Sequence, residues 1–240
     1  MNFGRRRIVC ALLGVGLSTF VFRSRAFSDQ ENVDGICSEQ TANLKWFEKD
    51  IIAQAVWAPF GVTHPGAKSF HQWIRKAEDG QKLPEFRNNL SLNCWEYVLY
   101  VAAKFGQLSI SKVRALMDSR QRGETLSQLL GGRVGKVNYS IKNGKVKTLW
   151  PKSTSPGDVV FMDETSHVVQ VTGETDISGR MQVISFSPRP IWGDGGAISP
   201  QSGIKPQTTT LESLIEELVE LYPDVPTDWN KIDITVVRLQ

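Results

Sequence analysis

The chain reads as an α+β protein, on three observations. Helical periodicity dominates up to about residue 132, a period of two takes over from Lys136, and an apolar helix followed by one strand closes the sequence. No internal repeat or linker splits residues 29–240, which read as one domain. In order, Leu44, Phe47, Ile51 and Ala55 mark a helix from about Thr41 to Val56. Pro59, Gly61 and Pro65 then break the chain, AKSFHQWIRKAEDG forms a short helix closed by Gly80, and NCWEYVLYVAAKFG forms a longer one. SISKVRALMDSR and ETLSQLLGG supply two more short helices, so the N-terminal part is helical with little strand signal. Val137, Tyr139 and Ile141 alternate with polar residues, and Asn143-Gly144 turns them into Val146 and Leu149 as a type I′ hairpin. DVVFM, HVVQVTG and MQVISFS follow as short antiparallel strands. A loop runs from about Pro188 to Gln207. A helix then opens at a Thr209/Glu212 capping box, buries Leu211, Leu214, Ile215 and Leu218 and stops at Pro223, and DITVVRL ends the chain as a strand.

Composition and charge narrow the function. The chain has 240 residues, 40% apolar and 22% charged, enough for a real core, and a net charge of +3. That charge is local: Arg5, Arg6, Arg7, Arg23 and Arg25 fall in the first 28 residues, which contain no acid, and the rest carries 23 basic against 25 acidic residues. So balanced a domain lacks an electrostatic footprint for nucleic acid. Residues 1–28 read as an export signal, with a basic start, fifteen apolar or small residues from Ile8 to Phe22, and small residues at Ala26 and Ser28 for cleavage before Asp29. The triple arginine resembles a twin-arginine signal, and an uncleaved anchor is the alternative. Fifteen residues are short for a membrane span, so the expected location is the periplasm or the exterior, with no span after cleavage.

Cys94 concentrates the chemistry. Asn93 suits an N-cap and Glu96 the reciprocating acid, which makes Cys94 the first helical residue. Free N–H groups and the helix dipole at that position favour a thiolate and a lowered pKa. Tyr97, Val98, Val101, Ala102 and Phe105 share its buried stripe. His167 opens a strand well downstream, and a helix-start cysteine with a strand-borne histidine is what nucleophilic thiol chemistry needs. Of the other histidines, His64 and His71 are rival bases, His64 lying in a Pro- and Gly-rich loop.

SPGDVVFMDETSHVVQVTG, preceded by Cys94, resembles the Pro-Gly-Asp strand and His-bearing strand of NlpC-type cell-wall hydrolases, over roughly residues 92–187. The residues flanking the thiol, Asn93, Trp95 and Glu96, depart from that family's usual Asp before the cysteine and Ser-Gly after it. The resemblance implies a papain-like fold and hydrolysis of an amide bond in a peptide or peptidoglycan stem peptide, without cofactor or metal. It makes Cys94 the nucleophile and His167 the general base. Ser185 is the nearest match for the residue that orients the imidazole, with Gln170, Asp163 and Ser187 as alternatives. Asp158 is a turn residue on this reading. Asn93, Trp95 and Trp192 are the candidate substrate-binding residues, Trp192 with the Gly193–Ser202 loop as a flap. Two other readings remain open: an acyltransferase or transpeptidase using the same thiol, and an exported binding module in which Cys37 and Cys94 form a disulfide.

Overall fold

A computed structural model describes residues 54–59, 62, 64–87, 89–118, 132–162, 167–188, 200–221 and 232–239. The export segment, Cys37, most of the first expected helix, the ETLSQLLGG helix apart from Gly132, Asp163, Trp192 and Pro223 lie outside them.

Strands and helices are mixed in an α+β arrangement. A six-stranded antiparallel sheet has the order β11 (Gln207–Thr210), β9 (Met181–Ser185), β8 (His167–Thr175), β7 (Val159–Met162), β12 (Ile234–Val237), β4 (Arg133–Lys136). A four-stranded sheet has the order β10 (Gln201–Ile204), β1 (Ala55–Trp57), β3 (Leu90–Leu92), β2 (Lys68–Ser69). The hairpin β5 (Asn138–Lys142) and β6 (Lys145–Leu149) stands by itself. Its turn has φ of 52° at Asn143 and 72° at Gly144, the left-handed pair that a type I′ turn requires.

The large sheet separates two cores. Val159, Phe161, Val168 and Ile184 pack with α2 (Cys94–Lys104) on one face. Val160, Met162, Val169, Val171 and Val183 pack with the hairpin and α4 (Leu211–Leu221) on the other. This is the period-two alternation of strands buried on both sides. Helix α2 is itself enclosed: Tyr97, Val98, Leu99, Tyr100, Val101 and Ala102 are all buried, because α1 (Phe70–Ile74), α3 (Ile110–Asp118) and β3 cover the side turned away from the sheet. The expected one-sided stripe is therefore too narrow, and Phe105 is half-buried as the C-cap.

Several expectations need correction. Ala55–Trp57 is a strand, not the end of a helix, and runs parallel to β3 and antiparallel to β10. Val56 and Trp57 favour extended backbone, and Pro59 pushes Ala58 the same way. The N-terminal part is therefore not purely helical, since β1, β2 and β3 all precede α2. Lys68 and Ser69 leave the expected short helix as β2, and Ser69 caps the five residues that remain. The expected loop from Pro188 to Gln207 contains β10. The last helix is capped by Thr210, whose Oγ1 accepts the Ser213 N–H at 3.1 Å, one residue later than the Thr209/Glu212 box. Leu149 is 69% exposed, because it faces away from Val146 across the pleat.

Asp158 is structural, as a turn residue should be. Its buried carboxylate accepts the Ser155 N–H at 2.8 Å and two bonds from Arg238, at 2.9 and 3.0 Å, tying the Pro-Gly-Asp turn to the end of β12. The same turn lies against Gly173, which has φ of +83° and where a Cβ would overlap Pro156 Cγ. Gly173→Ala should therefore destabilise the protein by about 2–4 kcal/mol, through positive-φ strain and overpacking together. Chemical denaturation measures this, and unchanged stability would mean that the turn can move off β8.

Candidate active site

Cys94 is the first residue of α2, and the expected cap is present in both directions. The Glu96 N–H donates to Asn93 Oδ1 at 2.8 Å, and the Asn93 N–H donates to Glu96 Oε2 at 3.0 Å. Asn93 and Glu96 are 6% and 4% exposed, so these bonds satisfy donors that water reaches poorly. Trp95 packs on Phe161 with ring centroids 5.6 Å apart, which fixes the helix start against β7. Both candidate substrate-binding residues next to the thiol are thus engaged in packing or capping.

The sulfur lies beside β8. The backbone N–H groups of Val168, Trp95 and Cys94 point toward it and favour its anion, yet burial outweighs them and the Glu96 carboxylate adds to the effect. The thiol pKa is pushed up from 9.0 to about 11. The expected lowered pKa is thereby overturned: a helix N-terminus contributes about 0.3–1 kcal/mol, too little against desolvation. Cys94 is a free thiol in this structure.

His167 is 2% exposed, and its Nε2 lies 3.0 Å from Ser185 Oγ on the neighbouring strand. The pairing explains why: Val169 lies opposite Ser185, so His167 and Ser185 project from the same face of adjacent strands. Gln170 and Ser187 go elsewhere, Gln170 Nε2 to the Gly157 carbonyl at 3.2 Å and Ser187 Oγ to the Pro188 carbonyl at 3.3 Å. The structure thus joins His167 to Ser185 and sets Cys94 against Val168, the residue after His167. In the β7–β8 pairing His167 lies opposite Met162.

The rival histidines are separate. His64 Nδ1 lies 2.7 Å from the Pro65 carbonyl in the loop before β2. His71 on α1 has Nδ1 3.6 Å from Glu96 Oε1, a neighbour that sequence distance concealed. Among the described residues no group of three His, Cys, Asp or Glu side chains is placed to share a metal ion, and no helix is long and apolar enough to cross a membrane. No protein-family model matches the chain, and neither the curated proteins nor the solved structures contain a significant match.

At pH 8 a thiol with a pKa of about 11 is ionised in about one molecule per thousand. Carbamidomethylation of Cys94 by iodoacetamide, followed by peptide mapping, should accelerate about tenfold per pH unit up to pH 10. A plateau near pH 8.5 would instead identify an ordinary exposed thiol.

Proposed function

We propose that the chain is an exported cysteine hydrolase of papain-like, NlpC-like arrangement, acting on an amide bond of a peptide or peptidoglycan stem peptide. One observation carries the reading: the thiol at the capped start of α2 faces the backbone of β8 beside His167, whose ring is bonded to Ser185. With Nε2 engaged by Ser185, the proposed route takes the thiol proton to Nδ1. This requires Nε2 to carry the hydrogen and donate it to Ser185 Oγ. Because burial holds the sulfur as a thiol, proton removal accompanies attack rather than preceding it. His167 therefore has to close on the sulfur when substrate binds, as catalytic contacts often tighten in the complex. The sulfur then adds to the carbonyl carbon, and the N–H groups at the start of α2 face the developing oxyanion. The proton held by His167 passes to the departing amine as the C–N bond breaks, and water hydrolyses the thioester.

A second reading has its own support. A half-buried thiol with a raised pKa also suits a packing residue in a binding module. Kinetics separate the two. Cys94→Ala and His167→Ala should each lower amide cleavage by at least about a thousandfold, while Ser185→Ala costs about 10–100-fold, as loss of an orienting partner does. Release of new amines from peptidoglycan fragments and peptides is the readout. Full activity in Cys94→Ala would sink the hydrolase reading, and full activity in His167→Ala would remove His167 as the base.

A further inference from the structure

On another side of the α2 start, between α1 and the β2–β3 edge, lies a cavity of about 340 Å³. Its polar lining consists of Ser69, His71, Gln72, Arg75, Ser91 and Glu96, and neither Cys94 nor His167 is part of it. Two of these residues are deeply buried, Ser91 at 3% and Glu96 at 4% exposure. Among the described residues the Ser91 hydroxyl makes no hydrogen bond. Glu96 Oε2 is committed to the Asn93 N–H, whereas Oε1 stands 3.6 Å from His71 Nδ1, too far for a good hydrogen bond. Ser69 Oγ already accepts the Gln72 N–H at 3.3 Å. The floor therefore holds a buried carboxylate and a hydroxyl, with the His71 ring beside the carboxylate, while Arg75 and Gln72 carry donors at the exposed rim.

That division selects a ligand chemistry. A buried carboxylate beside a hydroxyl stabilises a primary ammonium through charge-assisted hydrogen bonds, and it repels an anion. The carbonyl group that follows an α-ammonium in a peptide meets the guanidinium and carboxamide at the rim. An apolar ligand would leave Ser91 and Glu96 unsatisfied. At this volume the cavity falls within the usual range for small-molecule sites. We propose that it binds the free α-amino end of a peptide. The assignment stands apart from the thiol chemistry and holds whether or not Cys94 is a nucleophile.

The test uses the full chain carrying Cys94→Ala, so that turnover plays no part, and titrates alanyl-alaninamide against N-acetyl-alanyl-alaninamide by calorimetry. The amine probe should bind at least about tenfold more tightly, the worth of one charge-assisted bond. Adding Glu96→Gln should abolish that preference with the fold intact by circular dichroism, because Gln also completes a capping box and only the charge at the helix start is lost. Should Glu96→Gln disrupt the fold, Ser91→Ala decides instead: a reduced preference for the amine supports the site, and an unchanged one overturns it. Equal binding of the two probes, no binding of either below about 10 mM, or an unaltered preference in a folded Glu96→Gln protein overturns the proposal.

Discussion

The constraint on which the rest depends is the burial of a helix N-terminus. Helix α2 begins between two sheets, so its first N–H groups cannot rely on solvent, and Asn93 and Glu96 supply the acceptors from within 6% and 4% exposed side chains. This cap has an electrostatic consequence. Glu96 complements the positive end of the helix, and its charge lies close enough to disfavour a second anion on Cys94. The acid that stabilises the helix start thus opposes the thiolate that the same start would otherwise promote.

The large sheet holds the candidate groups in place by dividing its strands between two cores. Tyr97 on α2 stacks on Phe186 at 5.3 Å, one residue beyond Ser185, and Phe86 meets both rings. Losing such a buried ring costs about 3–5 kcal/mol, so the distance between the thiol helix and the end of β9 is set by packing. On the opposite edge of β8, Asp158 and Arg238 join the turn before β7 to the end of β12. His167 and Ser185 therefore sit on strands secured from both cores.

Legibility in the sequence followed the range of the contacts. The Asn143-Gly144 hairpin and the strands of β7, β8 and β9 have their pattern and turn signals within a few residues, and all were readable. Strands β1, β3 and β10 are three or four residues long and pair across gaps of 34 to about 150 positions, so no local period announced them. Ala55 continues the helical spacing of Leu44, Phe47 and Ile51 and so predicts a helix to about Val56, a match that tertiary pairing overrides. In the site, the family resemblance pointed to Ser185 on the strand after β8 and left Gln170, Asp163 and Ser187 open, and the Nε2–Oγ contact of 3.0 Å singles out Ser185. The sign of the Cys94 shift could not, since the dipole is local and desolvation depends on what covers the helix. The His71–Glu96 approach was equally hidden, resting on how α1 packs beside α2.

Raising a thiol from 9.0 to about 11 costs its anion about 3 kcal/mol. A thiol raised in this way does not rest as a thiolate–imidazolium pair, and a neutral sulfur reacts more slowly with oxidants and alkylating agents than a thiolate does. On the proposed hydrolase reading that cost would be recovered in the substrate complex, where proton transfer to the His167 ring would create an imidazolium whose Nε2 already faces the accepting Ser185 Oγ. Ser185 is suited to this role by what it lacks. A carboxylate at the same place would add an attractive charge beside the ring in a 2% exposed site, whereas a neutral hydroxyl adds none. On that proposed reading, a neutral hydroxyl beside His167 and a raised thiol beside a capping carboxylate are two parts of one arrangement, in which charge separation would wait for the reaction.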